Sequence, residues 1–242
     1  MQPTVTLEAQ PGAFFRNRVR GAPMRGDSIV VEEHHVKAAA GIVELVLPEI
    51  HRHGGRYTLS IAGESGSGKS ETATALAEAL GAAGRSCLIF QQDDYFVYPP
   101  KTNDRTRRAD IAWVGPQEVR LDLLDAHLQS FRQGDPVIQK PLVIYEEDSI
   151  TSERLHVGEA EVAIAEGTYT TMLSNVDTRV FIDRNYEDTR AHRDKRRRNE
   201  AELDPFIDKV LAIEHEIISA HKALAQLVVN KDYSVRLQSG TN

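Results

Sequence analysis

Cysteine is nearly missing from the 242-residue sequence, in which Cys87 is the only one. A single thiol excludes an intrachain disulfide and is typical of a reducing compartment, so we expect a cytoplasmic protein. Apolar runs are short as well, and none approaches the roughly 18 residues that a membrane-spanning helix needs. Residues 1–4 have neither the basic start nor the apolar block of a signal peptide. No membrane partner is therefore expected.

Basic residues are also fewer than acidic ones, with 29 Lys and Arg against 36 Asp and Glu, for a net charge of −7. This acidic balance disfavours broad nucleic-acid binding, so no nucleic-acid partner is expected. The segment 190–198 is the exception, because six of its nine residues are basic and one is acidic. A run of this kind forms either a solvated helix face or a contact with a small, highly charged anion.

Hydrophobic residues make up 40% of the chain and charged residues 27%, which is ordinary for a globular protein. Short apolar runs predict five strands, and apolar residues spaced three or four apart predict helices between them. This alternation favours an α/β fold with a doubly wound, mostly parallel sheet that helices cover on both faces. The predicted strands are residues 57–62, 87–90, 161–165, 180–182 and 226–230.

The chain is predicted to consist of a short N-terminal region and one larger domain. Residues 1–56 are expected to form an arm and a helix that packs on the core of a domain spanning residues 57–242. The helix is predicted over residues 33–47, and Pro48 should end or kink it because proline removes a helical hydrogen bond. Residues 91–110 mix acidic, aromatic, basic and proline residues, which indicates a long active-site loop.

A glycine-rich motif follows the first predicted strand and opens a helix, which is the setting of a phosphate-binding P-loop, or Walker A motif. Glycines let the backbone approach phosphates, and the helix N-terminus adds partial positive charge. Lys69 would reach the β- and γ-phosphates of ATP, and the Ser70 hydroxyl would bind Mg²⁺. A glycine-rich turn without a ligand is the alternative. The predicted nucleotide-binding residues are Gly63, Glu64, Ser65, Gly66, Ser67, Gly68, Lys69, Ser70 and Glu71.

Acidic residues end two further predicted strands, at the sheet edge where ligands of such folds bind. Asp93 would accept a proton from an attacking hydroxyl, although a turn or helix-cap role is the alternative. Whether Asp93 or the adjacent Asp94 is the base stays open. Glu166 would orient Mg²⁺ or its waters, because a buried acid is costly without such a partner. A solvated strand-end acid is the alternative for Glu166.

Together these motifs resemble those of the uridine kinase and phosphoribulokinase family of P-loop kinases, over residues 57–232. The matching segments are GESGSGKS, QQDDYF, EVAIAEG and RAHRDKRRR. The resemblance implies a nucleoside-kinase-like P-loop fold that uses ATP and Mg²⁺ to phosphorylate a hydroxyl of a small metabolite. It places an Arg-rich lid at about residues 184–204, and Ser70 and Glu166 at the metal. The residues it assigns to catalysis are Lys69, Asp93, Arg190, Arg193 and Arg198.

Two departures from the family pattern bear on the identity of the acceptor. Residues 113–116 read WVGP and lack the acid that would hold a ribose. Residues 145–148 read YEED and keep the family's tyrosine but not its histidine. Uridine is therefore not the expected acceptor.

The predicted substrate pocket leaves a nucleoside, a sugar and a sugar phosphate open as acceptors. Basic residues would suit an anionic acceptor, whereas the acids at 146–148 would suit sugar hydroxyls or a cation. A nucleotide-binding regulatory protein without turnover is the alternative from another class, and homodimer formation is left open. The basic candidates are Lys101, Arg105, Arg107 and Arg108, and the predicted substrate-binding residues are Asp93, Tyr95, Arg108 and Tyr145.

Overall fold

The computed structural model describes residues 19–20, 29–188 and 204–238. Strands and helices alternate along these residues. The helices are α1 (Glu33–His53), α2 (Lys69–Ala82), α3 (Pro100–Ala109), α4 (Leu121–Gln133) and α5 (Pro205–His221). The strands are β1 (Val19–Arg20), β2 (Tyr57–Gly63), β3 (Cys87–Gln91), β4 (Val137–Ile144), β5 (Ser149–His156), β6 (Val162–Glu166), β7 (Thr178–Ile182), β8 (Leu227–Val229) and β9 (Val235–Leu237).

Seven strands form one sheet in the order β1-β3-β6-β2-β7-β8-β9. The first six are parallel, and β9 runs antiparallel to β8. Every residue of β2, β3 and β6 is buried, as expected for central parallel strands that are covered on both faces. Strands β4 and β5 form a separate antiparallel hairpin.

Two hydrophobic clusters hold the helices against opposite faces of the sheet. On one face, Ile42 of α1 and Leu76 of α2 pack against β2 residues such as Leu59. On the other face, Leu128 of α4 and Ile218 of α5 join the second cluster. The doubly wound, mostly parallel α/β fold expected from the sequence is therefore confirmed. No helix in the described part of the chain has the length and apolar character to cross a membrane.

Two local expectations need adjustment. Helix α1 passes through Pro48, so the proline does not end it, and the helix stops at His53 with Gly54 as its C-cap. Val46 and Ile50, on either side of the proline, are buried in the first cluster, and this packing holds the helix together despite the missing hydrogen bond. The predicted loop at 91–110 contains a 3₁₀ turn, Gln92–Tyr95, and helix α3.

Candidate active site

The P-loop connects β2 to α2, with Lys69 as the first residue of the helix. Gly68 has a φ of 93°, a left-handed conformation that favours glycine. A Cβ at Gly68 would also lie 2.9 Å from Nε2 of His35 in α1, so the helix packs directly against the loop. The Lys69 ammonium donates to the carbonyl oxygen of Glu64 at 2.9 Å, which holds the amine inside the curve of the loop.

The Glu64 carboxylate links the P-loop to two other parts of the chain. Its Oε1 lies 2.6 Å from Nδ1 of His215 on α5, and its Oε2 accepts a hydrogen bond of 2.7 Å from the backbone N–H of Tyr186. Glu64 is 5% exposed. The loop is therefore braced from α5 and from the segment after β7.

Ser70 and Glu166 come together as the sequence predicts. Strand β6 lies beside β2 with Glu166 opposite Ile61, and the Ser70 hydroxyl donates to Oε1 of Glu166 at 3.1 Å. Both groups supply hard oxygen ligands, the type that Mg²⁺ prefers. No group of three or more His, Cys, Asp or Glu that could hold a metal occurs in the described residues. Two protein oxygens beside a phosphate site fit Mg²⁺, which binds few protein ligands and shares substrate phosphates.

The neighbouring acids Asp93 and Asp94 have different environments. Asp93 is exposed and lines a cavity of about 210 Å³ beside the carboxyl end of β3. Asp94 is buried, and its carboxylate pairs with Lys140 at 2.5 Å and accepts the Val143 N–H at 3.0 Å. The paired carboxylate of Asp94 ties the turn to the β4–β5 hairpin, which leaves Asp93 as the acid that faces the cavity.

The cavity is formed by residues from several elements, and only part of this set was predicted. Asp93 and Tyr145, which the sequence assigns to substrate binding, line it, and Phe96 lies beside them. Sequence reasoning missed Asn103 and the proline that opens α3, and proposed Arg107 only as one of four basic candidates. The full lining is Asp93, Phe96, Pro100, Asn103, Arg107 and Tyr145.

Two residues predicted to bind substrate lie elsewhere. Tyr95 is fully buried in the second cluster, with its hydroxyl 2.9 Å from Nδ1 of His127, and burial raises its pKa well above the usual range. Arg108 points away from the cavity and pairs with Asp104 and Asp204, each at 2.8 Å. These positions correct the assignment of Tyr95 and Arg108 to the substrate site. Tyr95 misses the cavity because its side chain packs into the core at the end of the 3₁₀ turn. Arg108 misses it because Arg107 and Arg108 lie on different sides of α3.

Arg107 lines the cavity, and neighbouring carboxylates balance its positive charge. Its guanidinium forms a two-pronged hydrogen bond to the buried Glu118 and lies 3.2 Å from Oε1 of Glu214. Burial by itself would lower the pKa of Arg107, but the hydrogen bond to Glu118 and the charge of Glu214 raise it. Burial raises the pKa of Glu214, and the neighbouring Arg107 opposes that shift.

The predicted lid arginines Arg190, Arg193 and Arg198 lie outside the described residues. Most of the predicted lid at 184–204 falls there too, so its placement stays a prediction. The thiol of Cys87 is buried inside β3, and burial raises its pKa to about 12, as suits an unreactive core residue.

Comparison with known proteins gives consistent matches. A family model described as "Phosphoribulokinase / Uridine kinase family" matches residues 58–218. The chain is 31% identical over 192 residues to the bifunctional alpha-galactosidase/sucrose kinase AgaSK of Mediterraneibacter gnavus, covering 74% of this chain but 20% of that longer protein. It is 27% identical over 190 residues to a uridine kinase of Lactiplantibacillus plantarum, covering 74% of this chain and 88% of the relative.

A solved structure shares the fold at low sequence identity. D-glycerate 3-kinase from Cryptococcus neoformans superposes with a TM-score of 0.55 at 12% identity, covering 83% of this chain and 99% of the other. At that identity the likeness concerns the fold alone. It shows that the P-loop sheet described above is one that also occurs in a small-molecule kinase.

Proposed function

Because the chain belongs to the phosphoribulokinase and uridine kinase family of small-molecule kinases, we propose that it transfers the γ-phosphoryl group of ATP to a hydroxyl of a small metabolite. The observation that carries the proposal is that a candidate base and a candidate phosphate and metal site lie at the same edge of the sheet. Asp93 faces a cavity beside the end of β3, and Lys69, Ser70 and Glu166 gather at the ends of β2 and β6.

The proposed reaction uses these residues in separate roles. Asp93 accepts the proton of the acceptor hydroxyl, whose oxygen forms a bond to the γ-phosphorus while the bond to the β–γ bridging oxygen breaks. Lys69 and the P-loop N–H groups bind the phosphates and stabilise the charge that leaves with ADP. Ser70 and Glu166 would hold Mg²⁺, which would neutralise phosphate charge when bound.

The basic segment 190–198 would complete the site. Its proposed role is to bring Arg190, Arg193 and Arg198 to the transferring phosphoryl group and to exclude water, in keeping with the sequence resemblance. The nine-residue segment begins two positions after Asp188. Asp188 forms an ion pair of 2.8 Å with Lys231, which lies in the turn between β8 and β9.

An assay with a pool of metabolites tests the proposal. The full chain is incubated with ATP, Mg²⁺ and the pool, and new phosphorylated species are detected by mass spectrometry. Wild-type protein is expected to form at least one such species, and Lys69→Ala to form none. ATP binding without any new species would instead favour the nucleotide-binding regulatory alternative.

A further inference from the structure

We propose that Glu64 and His215 are positioning residues for nucleotide binding. Their contact holds the P-loop in the shape that receives phosphates, so the loss of either side chain weakens ATP binding. The inference rests on the nucleotide site of the proposed function. It concerns residues that the phosphate-binding motif does not require, because Glu64 occupies a variable position of the P-loop pattern and His215 lies on α5, 151 residues away.

Glu64 is held through both its side chain and its backbone. Its carboxylate oxygens each have a partner, because Oε1 lies 2.6 Å from Nδ1 of His215 and Oε2 accepts the Tyr186 N–H at 2.7 Å. Its carbonyl oxygen accepts hydrogen bonds from the Ser67 N–H at 3.1 Å and from the Lys69 ammonium at 2.9 Å. The orientation of this one residue therefore fixes both the turn of the loop and the amine that would reach the phosphates.

The contact is anchored in the packed part of the molecule. Leu211 and Ile218, one turn before and one turn after His215, are buried and fix α5 in place. The His215 ring also lies against the Tyr186 ring, with centroids 5.6 Å apart. A carboxylate as buried as that of Glu64 is costly unless its hydrogen bonds are satisfied, so these partners hold it in the folded chain.

The P-loop needs such support because three of its residues are glycines, at positions 63, 66 and 68. Glycine has no side chain that could fix the loop by packing, and ordering flexible backbone costs conformational entropy. A loop that has its binding shape for only part of the time binds its ligand more weakly in proportion to that fraction. Removing both carboxylate contacts, each a hydrogen bond, is expected to reduce the fraction about tenfold.

Calorimetric titration of the full chain with ATP and Mg²⁺, at a temperature well below unfolding, tests the proposal. Glu64→Ala removes both contacts of the carboxylate and should raise the Kd for ATP about tenfold. Glu64→Gln keeps an oxygen for the Tyr186 N–H and a polar group beside His215, so its Kd should stay within about twofold of wild type. His215→Ala removes one contact and should raise Kd about threefold or more.

Two control variants separate positioning from other effects. Glu216→Gln changes the exposed neighbour of His215 and should leave Kd within about twofold of wild type. Tyr57→Phe removes the buried hydrogen bond between Tyr57 and Thr178 at the start of β2, the end of the strand away from the P-loop. It should lower Tm and leave Kd unchanged.

Three results overturn the proposal. The first is a Kd in folded Glu64→Ala within about twofold of wild type. The second is an unchanged Kd in His215→Ala, which would mean that Glu64 acts without its partner on α5; this variant also carries the test if Glu64→Ala does not fold. The third is a rise in Tyr57→Phe as large as in Glu64→Ala, because stability alone would then govern binding.

Failure of this proposal can be told apart from failure of the proposed function. If wild-type protein binds ATP and forms a phosphorylated product in the metabolite assay while the Glu64 and His215 variants bind ATP equally well, only the positioning role falls. If wild-type protein does not bind ATP, the nucleotide site is wrong and both proposals fall.

Discussion

At the scale of single residues, two adjacent aspartates have different environments because only one of them meets the β4–β5 hairpin. The sequence reads Asp93-Asp94, and only the family resemblance favours Asp93, because the residue pattern itself leaves both open. In the folded chain, the Lys140 ammonium and the Val143 N–H donate hydrogen bonds to the Asp94 carboxylate, whereas Asp93 lines the cavity. The choice depends on a partner 46 residues away, which local sequence patterns do not show.

Replacing each aspartate by asparagine should therefore produce two different defects. Asp93→Asn is expected to lower kcat on the order of 100-fold, because the proton acceptor is lost, with little change in unfolding free energy. Asp94→Asn should lower the unfolding free energy by about 3 kcal/mol, because the buried Lys140 charge loses a partner. Urea unfolding and steady-state kinetics on both variants make the comparison. Equal turnover in Asp93→Asn and wild type would contradict the assignment of the base.

A second residue-scale prediction concerns His127, which is packed against Tyr95. Burial lowers the pKa of His127 below its usual 6.5, with the charges of Lys140 and Arg120 acting in the same direction. As the pH falls, His127 is therefore protonated in the unfolded chain before it is protonated in the folded chain. Its contribution to stability is present above about pH 6.5 and is lost as the pH falls through the lowered folded-state pKa.

His127→Gln removes this titration while keeping a polar group near the Tyr95 hydroxyl. Between pH 7.5 and pH 5.5, the unfolding free energy of the variant should decrease less than that of the wild type. Urea unfolding at both pH values measures the difference. Parallel pH profiles would show that His127 is protonated equally in the two states, and the opposite order would show that its pKa is raised on folding; either result contradicts the prediction.

At the scale of elements, the site depends on how closely the turn after β3 packs on the end of β6. A Cβ at Gly167, just after β6, would lie 2.2 Å from Cβ of Gln92, and Gln92 also accepts the Tyr169 N–H at 2.7 Å. Glu166, the proposed metal ligand, and Asp93, the proposed base, are the immediate neighbours of these two residues. The distance between Glu166 and Asp93 is therefore set by the contact between Gly167 and the 3₁₀ turn.

Gly167→Ala should disturb both stability and turnover. The added methyl group forces the turn away from β6, at a cost of about 3 kcal/mol in unfolding free energy, and kcat should fall with it. Gly84→Ala is the matched control, because φ is +85° there and no atom lies within 4 Å of the added Cβ. That control should cost about 1 kcal/mol, with kcat unchanged. Similar kcat values in the two variants would rule out the proposed coupling.

The elements themselves were predictable where burial is continuous. Strand β6 is buried at all five residues and appears in the sequence as an unbroken apolar run. Helix α3 was missed because its one buried residue is Asn103, so no apolar stripe marks it. The hairpin was missed because β5 is mostly exposed and the fully buried residue at the centre of β4 is Lys140. Ion pairs and hydrogen bonds help to place these segments, and at the hairpin the Lys140–Asp94 pair acts together with the buried Ile138 and Leu155.

The difference between local motifs and contacts made by the fold also explains which parts of the site could be predicted from the sequence. The P-loop residues are consecutive, so a local motif identifies them, and Glu166 ends a clear strand. The acceptor cavity is built from the turn after β3, from α3 and from the hairpin. Arg107 is recognised as compensated only when Glu118 and Glu214 are brought to it by the fold.

At the scale of the whole molecule, ATP binding should stabilise the folded chain. The P-loop is held from both α1 and α5, so a ligand bound there by the native state opposes unfolding of the entire sheet. With ATP and Mg²⁺ at 100 times the dissociation constant, the gain is about 2.7 kcal/mol. For a chain of this size that corresponds to a rise in Tm of roughly 5–10 °C.

Lys69→Ala should lose most of this rise at the same ATP concentration, because the β- and γ-phosphates lose their charged partner. Its Tm without ATP should stay near that of the wild type, since the lost contact is a single hydrogen bond to Glu64. Differential scanning fluorimetry with and without ATP gives both values. A full ATP-dependent rise in Lys69→Ala would contradict the phosphate site.

Helix α1 lies outside the residues that match the family, yet it closes the molecule against strand β9. The Lys37 ammonium donates to the carbonyl oxygen of Asp232 at 2.7 Å, and a Cβ at Gly41 would lie 2.8 Å from Val235. The residues of that hydrogen bond are 195 positions apart. During translation, the side of α1 that carries Lys37 and Gly41 must therefore wait until residues 232–235 have been synthesised, although α2 can cover Ile42 much earlier. Chaperone dependence and slow folding are the expected costs of that long-range closure.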